Sequence, residues 1–204
     1  MEWIAPIITA IGTIIVGYFT YNQYTRNKMT DHKLKMLETE QKNKIKENKS
    51  AAAKIYGELW RVLYELKCRR VFIIQPHPLI KSHFISVEIE IKKNGIASVI
   101  PEFTRLKMSN LACFCSDLAG RDFLYYPKLF KIKDKRARAL FSTIGTNSFV
   151  VKRMTVNDGK IWVGNIVCDF PEDMKLNIDY VKKLLAEVSN DIQYILPEIQ
   201  EDVE

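Results

Sequence analysis

An uninterrupted apolar run opens the pattern of hydrophobic and polar positions along the chain. Residues 3–19 read WIAPIITAIGTIIVGYF and contain no charged side chain. As a helix, residues 3–24 would be about 32 Å long at ~1.5 Å per residue, close to the ~30 Å hydrocarbon thickness of a bilayer. Residues 1–24 are therefore predicted to form a single transmembrane helix.

Aromatic residues and a basic flank orient this predicted anchor. Trp3 lies at one end of the run, and Tyr18, Tyr21 and Tyr24 lie at the other, as in the aromatic belts of membrane interfaces. Positive charge follows the run, which predicts an outside N-terminus and a cytoplasmic C-terminal domain in a single-pass membrane protein. A signal peptide would begin with basic residues, whereas this chain begins Met-Glu.

Small residues recur at every fourth position on one face of the predicted anchor: Ala5, Thr9, Thr13 and Gly17. Small residues at this spacing allow helix backbones to approach closely in lipid. The pattern predicts self-association through this face, although the same residue types are common in such helices and the spacing also arises by chance.

A polar, lysine-rich segment at residues 25–50 is predicted to be a helical linker. Beyond it, apolar residues alternate steps of three and four, at Ala52, Ile55, Leu59, Val62 and Leu66. This spacing predicts an amphipathic helix that begins near Ser50 as its N-cap. The apolar stripe suits either packing on a sheet or a dimer seam. Packing is favoured, because only about two heptads are regular and a coiled coil sustains three or more.

Alternation with a period of two indicates strands in the next part of the chain. Residues 69–74 read RRVFII, in which an apolar run follows two arginines and predicts a buried strand. Residues 83–93 read HFISVEIEIKK, which predicts a strand with Ile85, Val87, Ile89 and Ile91 on one face. Helical spacing then predicts helices over residues 101–118 and 134–144.

The clearest local signal is a hairpin near the C-terminus. Two apolar strands, residues 149–156 and 161–170, flank an Asp-Gly pair, which is a strong turn signal between strands. Alternation along the second strand predicts one core face, formed by Trp162, Gly164, Ile166, Cys168 and Phe170. An amphipathic helix over residues 175–196 follows.

This order of elements predicts an α+β protein in three parts. The parts are a transmembrane helix at 1–24, a helical linker at 25–50, and a domain at 51–204. Because the hairpin strands are antiparallel, the sheet of this domain is predicted to be mainly antiparallel and flanked by helices.

The hairpin segment VNDGKIWVGNI, residues 156–166, resembles the closing hairpin of GAF domains. The resemblance spans roughly residues 52–196. It implies an antiparallel sheet with helices on both sides, often a small-molecule pocket between sheet and helices, and frequent dimerisation. The Asn-Lys-Phe-Asp-Glu signature of the cyclic-nucleotide-binding members is absent, and no chromophore-attachment motif can be placed. The resemblance therefore does not identify a ligand.

Composition agrees with a folded domain and offers little for catalysis. The chain is 47% hydrophobic and 27% charged, which argues against disorder. Its four cysteines lack C-x-x-C spacing, as expected of reduced thiols in the cytosol, and three histidines give little capacity for a metal site. The sequence has no nucleophile elbow and no phosphate-binding loop. We therefore predict no catalytic residue, no metal and no cofactor.

Basic residues cluster after a pair of tyrosines. The net charge is +7, and the cluster consists of Tyr125, Tyr126, Lys128, Lys131, Lys133, Lys135, Arg136 and Arg138. Aromatic rings can stack on bases, and lysines can contact phosphates. The same residues could meet anionic headgroups or a phosphorylated small ligand, or simply be solvated. We call these eight residues the basic cluster and treat them as candidate anion-binding residues.

Anchor and domain together predict a membrane-anchored cytosolic sensor or interaction module that is not an enzyme. Its expected partners are the lipid bilayer, a small anionic ligand, and further copies of the chain. One alternative is a membrane-active protein, such as a phage holin or a toxic effector, whose anchor oligomerises. A second alternative is a membrane-tethered protein that binds nucleic acid.

Overall fold

A computed structural model describes the backbone of residues 4–79, 81–171 and 174–199, with side chains from residue 33 onward except those of residues 34 and 38. The chain divides into two compact units, residues 1–49 and 50–204. Helix α1 (Ile4–Glu65) begins in the first unit and ends in the second. The prediction that a helix begins at Ser50 is wrong, because no Gly or Pro in residues 25–50 ends the preceding helix.

The predicted membrane anchor falls where side chains are not described. Its named residues, all outside the described side chains, are Trp3, Ala5, Thr9, Thr13, Gly17, Tyr18, Tyr21 and Tyr24. Among the residues that the structure describes, no helix has both the length and the apolar character needed to cross a bilayer.

Unit 50–204 is built on one six-stranded sheet. Its strands are β1 (Arg70–His77), β2 (Phe84–Lys92), β3 (Leu106–Lys107), β4 (Phe123–Tyr126), β5 (Ser148–Val156) and β6 (Ile161–Phe170). The strand order is β3-β2-β1-β6-β5-β4, and all neighbours are antiparallel. The predicted α+β class with an antiparallel sheet is confirmed.

Helices accompany the sheet in this unit, and two of them begin at a side-chain cap. They are the last part of α1, then α2 (Ala112–Gly120), α3 (Lys135–Thr143) and α4 (Ile178–Ile192). The Asp134 carboxylate accepts hydrogen bonds from the backbone of Arg136 and Ala137 and so caps α3, as Asn177 caps α4. Short 3₁₀ helices span Ile100–Phe103, Met108–Leu111 and Leu129–Lys131.

One face of the sheet packs against α1 and α4. The apolar stripe of α1 is buried there, with Ile55, Leu59, Val62 and Leu66 at most 4% exposed. The packing interpretation of this stripe is thus confirmed over the dimer seam. Ala52, which continues the spacing, is exposed.

The other face of the sheet carries an aromatic core beneath α2 and α3. Its centre consists of Phe72, Phe103, Phe114, Phe141 and Phe149, each at most 1% exposed. The rings of Phe141 and Phe149 stack with centroids 4.3 Å apart. Offset ring contacts of this kind fill the space between the sheet and the helices.

A β-bulge divides the apolar face predicted for β2. Ile73 lies opposite Ile89, but its neighbour Ile74 lies opposite Val87, so Glu88 is the extra residue. Val87 consequently packs into the aromatic core, whereas Ile89 packs on the α1 side. The prediction of a single face was wrong because one inserted residue inverts the alternation.

A second bulge likewise divides the apolar face predicted for β6. Met154 lies opposite Gly164 and Thr155 lies opposite Trp162, so Val163 is the extra residue. Trp162 therefore packs toward the aromatic core, opposite to Ile166. The hairpin itself is confirmed, with its turn residues in the left-handed region, including Gly159 at φ +81°.

The predicted helix over residues 101–118 is interrupted. Arg105 takes a φ of +49°, and its backbone N–H donates to the Ser86 hydroxyl oxygen at 2.8 Å. Strand β3 follows directly, and the helix proper begins only at Ala112. Strand β4 had no counterpart among the predicted elements.

Candidate anion-binding groove

An open groove of about 360 Å³ lies beside β4. Its lining residues, which define the β4 groove, are Asp117, Arg121, Phe123, Leu124, Tyr125, Tyr126, Pro127, Lys131 and Lys133. They come from the end of α2, the whole of β4, and the segment that leads into α3.

The groove follows the outer edge of β4. In the part of the chain that the structure describes, β4 is an end strand and pairs with β5 on one side. Leu124 and Tyr126 pack into the aromatic core, whereas Phe123 and Tyr125 pack toward the opposite face. Successive strand residues point to opposite faces. A groove that consecutive residues all line must therefore run along the strand edge itself.

The charged residues of the groove leave it cationic. Arg121, Lys131 and Lys133 are exposed, and Asp117 supplies a carboxylate. Three cations and one carboxylate give a formal charge of +2 for the lining residues. Asp117 is already engaged, because its Oδ1 lies 3.0 Å from Arg121 Nε. The two lysines face the groove as available partners for an anion.

The hydroxyl group of Tyr126 lies beside these cations and is already hydrogen-bonded. Its hydroxyl donates to Asp117 Oδ2 at 3.4 Å. Burial raises the pKa of Tyr126 to about 12, and the nearby Asp117 carboxylate adds to the shift. The phenol therefore keeps its proton at neutral pH and does not add negative charge to the groove.

The structure separates the eight residues of the basic cluster. Tyr125, Tyr126, Lys131 and Lys133 line the β4 groove. Lys128 is exposed just before the Leu129–Lys131 3₁₀ helix. Their role in binding an anion stays a prediction.

The remaining members of the basic cluster belong to α3. Lys135 and Arg136 are exposed in its first turn, and Arg136 Nη1 donates to Asn110 Oδ1 at 3.3 Å. Arg138 Nη2 donates to the Ile132 carbonyl at 2.7 Å, which stabilises the turn before α3.

Arg121 is the cationic groove residue that the sequence patterns did not predict. It lies two residues before β4, and its importance depends on recognising residues 123–126 as a strand. The sequence FLYY contains only aromatic and apolar residues, so it has no polar alternation to mark a strand. High β-propensity of Phe and Tyr was the available signal.

Other candidate chemistry has structural roles. His77 is buried, with Nε2 2.9 Å from the Ser86 hydroxyl, which also accepts from the Arg105 backbone. Cys113 is exposed on α2, whereas burial raises the pKa of the Cys115 thiol to about 12. Among the described residues, no group of three or more His, Cys, Asp or Glu side chains could hold a metal ion.

Comparison with known proteins identifies a fold. No protein-family model matches the chain, and no curated protein matches it either. Several solved structures, however, are similar to this chain. The Thermosynechococcus elongatus PixJ GAF domain matches with a TM-score of 0.57 at 14% identity, and the match covers 73% of this chain and 88% of that one. The red/green cyanobacteriochrome NpR6012g4 matches with a TM-score of 0.59 at 11% identity, covering 71% and 92%.

A third match is GAF3 of Slr1393 from Synechocystis sp., with a TM-score of 0.54 at 10% identity, covering 70% of this chain and 90% of that one. Identity is low in all three cases, so the comparison concerns the fold alone. The chain has a GAF-like α+β fold.

Proposed function

We propose that this protein is a membrane-anchored sensory or interaction module, without enzymatic activity, whose GAF-like domain binds an anionic ligand or partner in the β4 groove. The observation that carries the proposal is the convergence of Arg121, Lys131 and Lys133 with two tyrosines at an open strand edge. An anion there would meet two exposed lysines, whose ammonium groups are hydrogen-bond donors.

Similar structures support ligand binding as a use of this fold. One is described as a phycocyanobilin-bound GAF domain from a cyanobacterial phytochrome, and another as a form with bound biliverdin. Both ligands are those of the similar proteins. For this chain the ligand class follows from the groove, where cationic side chains favour a carboxylate or phosphate group.

Titration of the full chain with anionic probes tests the proposal. Adenosine triphosphate, inorganic phosphate, anionic vesicles and single-stranded DNA should be compared at low salt and again as salt is raised. Lys131→Gln with Lys133→Gln should weaken the binding of whichever probe is taken.

Lys107→Gln with Lys160→Gln makes the same change in charge elsewhere and serves as the control. Lys107 lies on β3 at the other end of the sheet, and Lys160 lies in the β5–β6 turn. Equal loss in both double variants would indicate general electrostatic attraction and contradict a site in the groove.

The membrane anchor is supported by the sequence of residues 3–24, which carries no charge. A cysteine placed near Lys160, with the native cysteines removed, should stay shielded from an impermeant thiol reagent in intact cells. Labelling without lysis would overturn the cytoplasmic assignment.

The two alternative functions make different predictions. A membrane-active protein requires toxicity that depends on residues 3–24. A nucleic-acid-binding protein requires preference for the DNA probe.

Self-association also stays part of the proposal. Besides the small-residue face of the anchor, the outer face of α1 in unit 50–204 carries three exposed aromatic residues at steps of four: Tyr56, Trp60 and Tyr64. Large aromatic side chains are enriched at protein interfaces.

A further inference from the structure

We infer that the occupant of the β4 groove is an extended, acidic polypeptide segment of a partner protein, which adds to the outer edge of β4 as a further strand. The inference rests on the proposed function of the groove and specifies its ligand. It combines the direction of the free backbone groups of β4, the charge beside them, and the length of the exposed edge.

The phase of the β4–β5 ladder decides which backbone groups of β4 face outward. The Arg153 N–H donates to the Asp122 carbonyl at 2.9 Å, immediately before the register that pairs Phe123 with Lys152. Hydrogen-bonded and non-bonded pairs alternate in an antiparallel ladder. Leu124 and Tyr126 therefore bond to β5, and the N–H and C=O groups of Phe123 and Tyr125 point into the groove.

An edge with outward backbone groups is a template for another strand. Natural proteins usually protect such edges with charged residues, prolines or covering segments. Here Lys131 and Lys133 lie beside the edge, and Pro127 ends it by removing a donor. The lysines oppose pairing with a basic or apolar strand, but they favour a strand that carries carboxylates.

The dimensions of the edge fit a short segment. Strand β4 has four residues, which correspond to about 13 Å at ~3.3 Å per residue. Side chains of an added strand alternate between the two faces of the sheet. Acidic residues at every second position would therefore all lie on one face of the edge, within reach of the cations that flank it.

A small anion would satisfy fewer of the polar groups at this site than an added strand would. Arg121, Lys131 and Lys133 could hold a phosphate or carboxylate, but the outward N–H and C=O groups of Phe123 and Tyr125 would still need solvent. An added strand satisfies both sets of groups, because its backbone pairs with the edge and its carboxylates meet the lysines.

The test uses a fluorescein-labelled octapeptide of alternating threonine and glutamate as the probe, titrated into the full chain. The matched peptide of alternating threonine and lysine should not bind measurably. Two further acidic peptides carry N-methyl groups on alternate residues, one in each phase. Methylation in the phase that faces β4 should weaken binding about tenfold or more, since several hydrogen bonds are lost. Methylation in the other phase should matter much less.

A backbone change in the protein gives the reciprocal test. Tyr125→Pro removes the outward N–H without removing a bond to β5, and Tyr125→Ala controls for loss of the ring. Peptide binding should fall further in the proline variant than in the alanine variant, with thermal melting used to confirm that both are folded.

The outcomes separate this inference from the proposed function. If both methylation phases bind alike and Tyr125→Pro equals Tyr125→Ala, strand addition is wrong, while anion binding by the groove stands. If phosphate or nucleotide binds through Lys131 and Lys133 and the peptide does not, the partner class is wrong. If no anionic probe binds at low salt, both proposals fail.

Discussion

Arg70 and Asp169 form an ion pair with both side chains completely buried, in which Arg70 Nη2 lies 2.6 Å from Asp169 Oδ2. The Arg70 guanidinium also donates to the carbonyls of Ala97 and Ile144 and to the Thr146 hydroxyl, each at 2.9 Å. One side chain therefore links β1 to β6, to the segment after β2, and to the end of α3.

Removal of the carboxylate should strongly destabilise the domain. Asp169→Ala leaves the Arg70 charge buried without its partner, which typically costs about 3–5 kcal/mol in the free energy of unfolding. Urea unfolding of the variant and the parent chain measures this difference. Lys54→Ala is the control, because its pair with Asp191 at 3.8 Å is exposed and should contribute less than about 1 kcal/mol. Equal effects of the two variants would contradict a structural role for the buried pair.

Gly164→Ala should also destabilise the sheet. A Cβ at this position would lie 3.0 Å from the Ile74 carbonyl oxygen and 3.3 Å from Met154 Cε. Because backbone cannot yield as a flexible side chain does, we expect a loss of about 1–3 kcal/mol in the free energy of unfolding. Gly57→Ala provides the contrast. A Cβ there meets nothing within 4 Å, and alanine should stabilise the helix by up to about 1 kcal/mol. A neutral Gly164→Ala would show that β1 and β6 can separate locally without cost.

Tyr126 should make stability fall at alkaline pH. Burial and Asp117 raise its pKa from 10.0 to about 12, so between these values the unfolded chain loses a proton that the folded chain retains. Below pH 10 the phenol is protonated in both states and has no effect. Asp117→Asn should lower the pKa of Tyr126, although burial will keep it above 10. Phenolate absorbance, compared with Tyr126→Phe, measures the shift, and an unchanged titration would show that Asp117 does not influence the phenol.

The exposed aromatic residues of α1 should support association between copies of the chain. Trp60 and Tyr64 stack with ring centroids 5.4 Å apart and are 43% and 71% exposed. Replacing both with lysine should shift the full chain toward the monomer in analytical ultracentrifugation, because buried aromatic area would be lost and positive charge repelled. The unfolding midpoint should change little. An unaltered sedimentation profile would place any self-association elsewhere.

Local signals predicted the parts of the fold that local chemistry determines. The β5–β6 hairpin follows from its Asn-Asp-Gly turn, and α3 follows from the Asp134 cap and Gly145, which takes a φ of +69° after the helix. The stripe of α1 was correctly interpreted as a packing face, because its periodicity was clear but too short for a coiled coil.

Long-range contacts determine what the sequence did not reveal. The bulges at Glu88 and Val163 depend on how neighbouring strands align, and the alternation within one strand carries no sign of that alignment. The groove was only half predicted because strand β4 was missed. Lys131 and Lys133 stood out by charge, whereas Arg121 lines the same groove through its place just before that strand.

Hydrogen exchange of the full chain, followed by mass spectrometry, tests most directly whether an anionic segment binds along β4. The acidic octapeptide should slow exchange in a fragment that covers residues 122–127 at low salt, and added salt should reverse the effect. Lys131→Gln with Lys133→Gln should abolish this protection, while a fragment that covers β3 should remain unchanged throughout. Unaltered exchange over residues 122–127 at saturating peptide, or equal protection of the β3 fragment, would contradict the proposed site.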